Sequence, residues 1–163
     1  MPPIISIIGE SKSGKTTLIE KLISELKSRG YRVASVKHSV HKLDFDKTGK
    51  DSWRHLQAGS TATAIVSPDQ VVVIKPVYKE PSLKEMARLF DDECDIILTE
   101  GFKESAAPKI EVHRKAAGPP LSGIKNIVAI ATDEPLETST RQFSLNDVKA
   151  IADFLESDLI KVR

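Results

Sequence analysis

A chain of 163 residues with a formal net charge of +1 and one cysteine has the length for one domain with a core of its own. The near-neutral balance excludes the broad basic field of a nucleic-acid binder, and Cys94 alone excludes an internal disulfide and suits a reducing compartment. No run approaches the roughly 20 apolar residues that span a bilayer, so a cytoplasmic protein without a membrane partner is expected.

Ile4-Ile5-Ser6-Ile7-Ile8 is a short β-branched run, read as a buried strand and too short for the apolar region of a signal peptide. Residues 9–16, Gly-Glu-Ser-Lys-Ser-Gly-Lys-Thr, match the phosphate-binding pattern G-x-x-x-x-G-K-[ST] in full. From Thr17 to Leu26 the apolar residues recur at helical spacing, with Leu18, Leu22 and Leu26 on one face. Arg29-Gly30 stops that helix, and Tyr31–Lys37 reads as a second strand. His38 to Asp51 is polar and aperiodic. Ser52–Ala58 reads as a short helix capped by Asp51 and closed by Gly59.

Thr61–Val66 and Val71–Ile74 are β-branched runs around Ser67-Pro68-Asp69-Gln70, spaced for a hairpin or for neighbouring strands. Pro81-Ser82 opens a helix that runs to Phe90. Asp95–Thr99, Ile110–Val112 and Ile127–Ala131 are further strands, Ala116–Pro120 is a loop, and Asn146–Glu156 is a closing helix capped by Ser144. With no repeat, low-complexity segment or linker, residues 1–163 read as a single P-loop nucleotide-binding domain. Strands alternating with helices predict an α/β fold, a P-loop NTPase with a parallel-rich sheet and helices on both faces. Its ligand belongs at the carboxyl ends of the strands.

Strand, glycine loop and helix in that order surround a polyphosphate with backbone N–H groups and a helix N-terminus. Gly9, Ser11, Lys12, Ser13, Gly14, Lys15, Thr16 and Thr17 are the phosphate-side candidates, with Lys15 directed to the β- and γ-phosphates and the Thr16 hydroxyl to Mg²⁺. A P-loop enzyme also needs a carboxylate at the end of a second buried strand. Asp95 and Glu100 bracket such a strand; Glu100 holds its carboxyl end and is better placed, while Asp95 marks a solvent-exposed start. Lys15 and Glu100 are therefore the catalytic candidates, and Thr16 and Glu100 the metal candidates. Gly9–Thr16, Lys37-His38, Glu100-Gly101 and Thr132-Asp133 all fall at predicted strand ends, where one crevice can gather them.

Asp44, Asp46 and Asp51 lie in a polar stretch of the kind that orders around γ-phosphate in P-loop switches. Arg54 either neutralises phosphate charge or pairs with a surface carboxylate. His38, His41, His55 and His113 show no zinc-type ligand spacing, and Cys94 reads as small apolar packing. Asp133 stands where the carboxylate of a guanine-reading N-K-x-D motif would stand, able to accept from guanine N1–H and the N2 amine. The Asn and Lys of that motif are missing, and an Asp opening a turn before Pro135 is ordinary.

The segments Gly9–Leu18, Val36-Lys37-His38, Gly49-Lys50-Asp51-Ser52-Trp53-Arg54 with Ala58-Gly59, Glu100-Gly101-Phe102-Lys103, Pro108-Lys109-Ile110-Glu111-Val112-His113-Arg114 and Thr132-Asp133 together resemble the MobB family of molybdopterin-guanine dinucleotide biosynthesis adaptors. The P-loop by itself is unspecific; E-G-F-K followed by P-K-I-E-V is much less so. The resemblance implies a GTP-binding P-loop protein of the class that includes nickel-insertion and signal-recognition GTPases, a homodimer with weak GTP hydrolysis. Its implied cofactors are GTP and Mg²⁺. Its implied partners are a MobA-like guanylyltransferase, which joins GMP to molybdopterin, and molybdopterin or its guanine dinucleotide. By carry-over, Gly14, Lys15 and Thr16 hold phosphates and Mg²⁺, Glu100 lies near the metal, and Asp51 and Arg54 line the site. Lys103, Lys109 and Arg114 are implied candidates for an anionic pterin or partner. Lys12 occupies the fourth position of the loop, whereas the related class often has a lysine at the second, here Glu10. With no MobA-like domain in the sequence, a separate partner is expected.

Two functions are compatible with these residues. The first is a GTP-binding accessory protein, weakly hydrolytic, that assists guanine nucleotide attachment to molybdopterin. The alternative is a small-metabolite kinase that transfers a γ-phosphoryl group. A kinase usually needs a lid carrying arginines, and the scattered Arg29, Arg32, Arg54, Arg88, Arg114, Arg141 and Arg163 form no such cluster in sequence. Slow hydrolysis agrees with the lack of a water-orienting glutamine after the acidic strand and of an evident arginine finger.

Overall fold

The computed structural model describes residues 1–41 and 46–160. They fall into two compact units, one within Met1–His38 and Leu83–Arg163, the other within Ser39–Ser82. In chain order the elements are β1 (Ile4–Gly9), α1 (Lys15–Ser28), β2 (Val33–Lys37), α2 (Asp51–Gln57), β3 (Thr63–Val66), β4 (Val71–Ile74), α3 (Leu83–Ala87), β5 (Ile96–Glu100), β6 (Lys109–His113), β7 (Ile127–Thr132), β8 (Arg141–Ser144) and α4 (Val148–Phe154).

The first unit is a six-stranded sheet in the order β2-β5-β1-β6-β7-β8. Every neighbouring pair is parallel. This is the α/β arrangement expected from the alternation of strands and helices. Both faces of β1 are covered, which explains why it is a continuous apolar run and not an alternating one. Ile5 and Ile7 join Leu18, Leu22 and Leu26 of α1 and Ile151 and Phe154 of α4 in the main core. Ile4, one residue out of phase, packs on the opposite face with Ile97, Ala87 of α3 and Cys94. The apolar face read for the first helix is thus the buried one, and each fully buried Leu contributes about 1.5–3 kcal/mol.

A charged knot joins the two helices of the main face. Arg29 donates to Asp153 Oδ1 at 2.7 Å, Glu156 Oε2 at 2.5 Å and Glu25 Oε1 at 2.8 Å, so one guanidinium at the end of α1 serves three carboxylates. Such charge-assisted bonds suit the rigid donor fork of arginine.

Two expectations about caps are corrected. The closing helix begins at Val148, not Asn146, and its cap is Asp147, whose carboxylate accepts from Ala150 N–H at 3.1 Å. Ser144 instead ends β8, an edge strand missed in the sequence because Arg141-Gln142-Phe143-Ser144 is short and largely polar, as edge strands often are. Asp51 is the first residue of α2, and Lys50 holds the cap position without a side-chain bond. A carboxylate in the first turn still complements the helix dipole.

The second unit carries α2 and a two-stranded antiparallel hairpin, β3 with β4, in the register Thr63↔Ile74 to Val66↔Val71. Ser67 closes its turn, its N–H donating to Gln70 O at 2.9 Å and its Oγ accepting from Gln70 N–H at 3.1 Å. The hairpin leaves Val66, Val71 and Val73 exposed at 73%, 63% and 64%. Helix α2 buries none of its residues.

Candidate functional site

The loop after β1 is shaped by a close backbone approach. A Cβ on Gly9 would stand 2.4 Å from Val112 O of β6 and 2.7 Å from Ser13 Oγ, so no other residue fits without displacing the neighbouring strand. Lys12 takes a left-handed φ of 63°, and Gly14, at φ 103°, opens α1. Ser11, Lys12, Thr16 and Thr17 are exposed, Gly14 and Lys15 half-buried. Ser13 is buried, with an Oγ that has no hydrogen-bond partner among the described residues.

Lys15 curls back over this loop, its Nζ donating to Glu10 O at 2.7 Å and Gly9 O at 3.2 Å. Burial holds its ammonium below the ordinary lysine range, and the nearby Glu100 carboxylate opposes that shift. Thr16 Oγ1 donates to Glu100 Oε2 at 2.9 Å. Glu100 stands at the end of β5, level with Ile7 of β1 on one side and Lys37 of β2 on the other. Its second oxygen faces Lys37 Nζ at 3.6 Å. A hydroxyl and a carboxylate converging in this way are hard oxygen donors, the kind that shares Mg²⁺ with phosphate oxygens.

The turn after Glu100 is fixed from three sides. Gly101 N–H donates to Ile7 O at 3.0 Å and His38 N–H to Glu100 O at 2.9 Å. Gly101 has a φ of +97°, and a Cβ there would meet His38 Cβ at 3.1 Å. Phe102 follows at φ 60° and stacks on the His38 ring, centroids 4.7 Å apart. A non-glycine residue in this region is uncommon and costs backbone energy.

On the other flank of the loop, Arg114 Nε donates to Ser13 O at 3.3 Å, and its NH1 lies 3.8 Å from Asp133 Oδ2. Asp133, just past β7, accepts from Lys115 N–H at 2.9 Å. The carboxyl ends of the two strands are tied by buried His113, whose Nδ1 lies 2.9 Å from Thr132 Oγ1. The loop 9–16, Lys37-His38, Glu100-Gly101 and Thr132-Asp133 thus all lie along the carboxyl-terminal rim of one parallel sheet.

Other candidates fall elsewhere. Lys109 is corrected as a contact for an anionic pterin or partner: it is 0% exposed and its ammonium donates to Ser105 O, Ala107 O and Lys125 O. A register shift between Lys109 and Ile110 accompanies this inward turn, and burial lowers its pKa. Lys103 is half-buried in the turn after Glu100. Asp95 sits at the opposite end of β5 and binds Arg32 through its backbone N–H at 2.8 Å and its guanidinium at 2.9 Å. Cys94 is 6% exposed in the smaller apolar cluster, as read. Asp51 and Arg54 are exposed on α2 of the second unit, and Asp46 there accepts from Ser52 Oγ at 2.8 Å. Asp44 lies outside the described residues.

Sequence reasoning missed the Lys37–Glu100 ion pair and the Arg114 link to Ser13. Both join residues far apart in the chain, and only the placement of β2 beside β5 and of β6 beside β1 brings them together. The available signal was the position of Lys37 and Arg114 at or just beyond strand ends.

Comparison with known proteins gives a consistent answer. The family model for molybdopterin guanine dinucleotide synthesis protein B, MobB, matches residues 4–133. A molybdopterin-guanine dinucleotide biosynthesis adapter protein of Haemophilus influenzae is 42% identical over 157 residues, covering 95% of this chain and 88% of its own. Its namesake in Escherichia coli is 35% identical over 161 residues, covering 95% and 92%. A crystal structure of molybdopterin-guanine biosynthesis protein B superposes with a TM-score of 0.74 at 30% identity, covering 94% of this chain and 98% of the other. A MobB homologue from Bacillus stearothermophilus gives 0.71 at 26% identity, covering 95% and 96%. On sequence and fold together, this chain belongs to the MobB family.

Proposed function

We propose that this protein is a GTP-binding accessory protein with weak GTPase activity, and that it assists guanine nucleotide attachment to molybdopterin in molybdenum cofactor biosynthesis. The observation that carries the proposal is the Thr16–Glu100 hydrogen bond at the mouth of the loop. It pairs the two oxygen ligands that a Mg²⁺–triphosphate needs, directly beside Lys15. The adapter names borne by its relatives support the pathway.

In this reading Gly9, Ser11, Lys12, Ser13, Gly14, Lys15, Thr16 and Thr17 cradle the phosphates. Glu100 is the catalytic and metal-side carboxylate and Asp133 reads guanine; Asp51 and Arg54 are nucleotide-side candidates by family resemblance. The partner is a MobA-like guanylyltransferase, with molybdopterin or its guanine dinucleotide as the shared ligand. The protein acts as a homodimer in the cytoplasm. The bare valines of β3 and β4 offer apolar surface of the kind that subunit contacts cover.

Calorimetric titration with GTP, GDP and ATP in Mg²⁺ tests the nucleotide assignment. A guanine preference, followed by capture of a MobA-like protein, is the expected result. Preference for ATP would defeat it and favour a γ-phosphoryl transferase.

A further inference from the structure

We propose that Lys37 is the residue by which this protein distinguishes a nucleoside triphosphate from a diphosphate. The inference rests on the P-loop reading above and adds a ligand contact to it. Three groups stand in line along the sheet rim: Thr16 Oγ1 bonds one oxygen of Glu100 at 2.9 Å, and Lys37 Nζ lies 3.6 Å from the other. In a P-loop the threonine hydroxyl and a strand-end carboxylate would hold the Mg²⁺ that neutralises the terminal phosphates. The group on the far side of Glu100 from Thr16 is therefore on the γ-phosphate flank. Arg114 and Asp133 lie on the opposite flank, beyond β6, with the base side of the ligand.

Lys37 is free to change partners. Its side chain is 69% exposed, and a single ion pair at that exposure holds a lysine weakly. With Glu100 engaged as the proposed metal-side carboxylate, the charge that holds Lys37 would be shared, and the flexible ammonium would have a stronger acceptor in a γ-phosphate oxygen. A diphosphate offers no oxygen at that place. The contact also gives this chain a cation in cis where the sequence shows no arginine finger. A lysine supplies a point charge without the bidentate fork of arginine, which fits slow hydrolysis.

The test compares GTP and GDP titrations, by calorimetry in Mg²⁺, for the wild-type protein, Lys37→Met and Lys37→Arg, with thermal melts as a fold control. Lys37→Met is expected to lower GTP affinity about tenfold, the loss of one charge-assisted contact, while GDP affinity stays within about twofold. Lys37→Arg is expected to keep most of the GTP preference. An unchanged GTP:GDP ratio in Lys37→Met overturns the proposal, and so does an equal loss for both nucleotides, which would mean that Lys37 acts only by holding Glu100. If the wild-type protein binds ATP in preference to GTP, and Lys37→Met loses ATP over ADP, the guanine reading fails and this inference stands. A wild-type protein that binds no nucleotide removes both.

Discussion

Thr16 and Glu100 are 84 residues apart in the chain, yet the hydroxyl of one donates to the carboxylate of the other at 2.9 Å. The bond exists because β5 lies directly against β1, so that the end of an acidic strand reaches the first turn of the helix after the glycine loop. This bond keeps the hydroxyl and one carboxylate oxygen side by side. Disrupting either partner should leave the fold standing, since Thr16 is exposed and Glu100 half-buried. Glu100→Gln and Thr16→Ala are expected to weaken the Mg²⁺ dependence of nucleotide binding. Titrations with and without EDTA check this, and an unchanged Mg²⁺ effect in both variants would remove the metal assignment.

Lys15→Ala should abolish triphosphate binding without unfolding the protein. Its two bonds go to backbone carbonyls, Glu10 O at the exposed mouth and the part-buried Gly9 O, so their loss costs about 1–2 kcal/mol. A melt within a few degrees of wild type together with lost GTP binding is the expected pair of results. Unaltered GTP affinity would sink the site.

Asp133→Asn separates the two readings of that residue. The amide oxygen can still accept from Lys115 N–H, so the turn after β7 survives. What is lost is the second acceptor for guanine. GTP affinity should fall far more than ATP affinity, and equal losses would show Asp133 to be a turn residue only.

Gly9→Ala should be among the most damaging small changes in the loop. The added methyl would overlap Val112 O at 2.4 Å, and that atom belongs to the backbone of a central strand. A loss of roughly 2–4 kcal/mol is expected from displaced backbone and strained φ, read as a lower denaturant midpoint. A stability equal to wild type would mean that β6 yields more easily than its central position implies.

Lys109→Met should act on stability and not on ligand binding. Removing the ammonium takes the donor from three part-buried carbonyls, a loss of about 2–3 kcal/mol on the scale of hydrogen bonds to a charged group. The corrected role predicts a lower melting temperature with GTP affinity unchanged in the folded fraction. A stable variant with weakened binding of an anionic pterin would restore the reading made from the sequence.

Cys94 offers a check on the packing of the smaller face. Burial pushes its thiol above the ordinary cysteine range. Its reaction with a thiol reagent at neutral pH should therefore be slow in the native protein and complete on denaturation. Rapid native labelling would mean that the face near Ala87 and Ile97 opens readily.

Several features are determined by the sequence alone because they are local. The β-branched run before Gly9, the glycine spacing of the loop and the Leu18–Leu22–Leu26 stripe each specify an element within a few residues, since backbone sterics and side-chain periodicity act over that range. The place of Glu100 at the carboxyl end of β5, with Asp95 at the other, was also legible, because it depends only on strand direction. The tertiary structure decided what depends on which strands are neighbours. Lys37 meets Glu100 and Arg114 meets Ser13 through strand order, and no local pattern records that order. It also decided Lys109, a charged residue in an exposed-looking motif that the register shift of β6 turns inward onto three carbonyls. Burial of a charge is settled by the loops that close over it, and those come from distant parts of the chain.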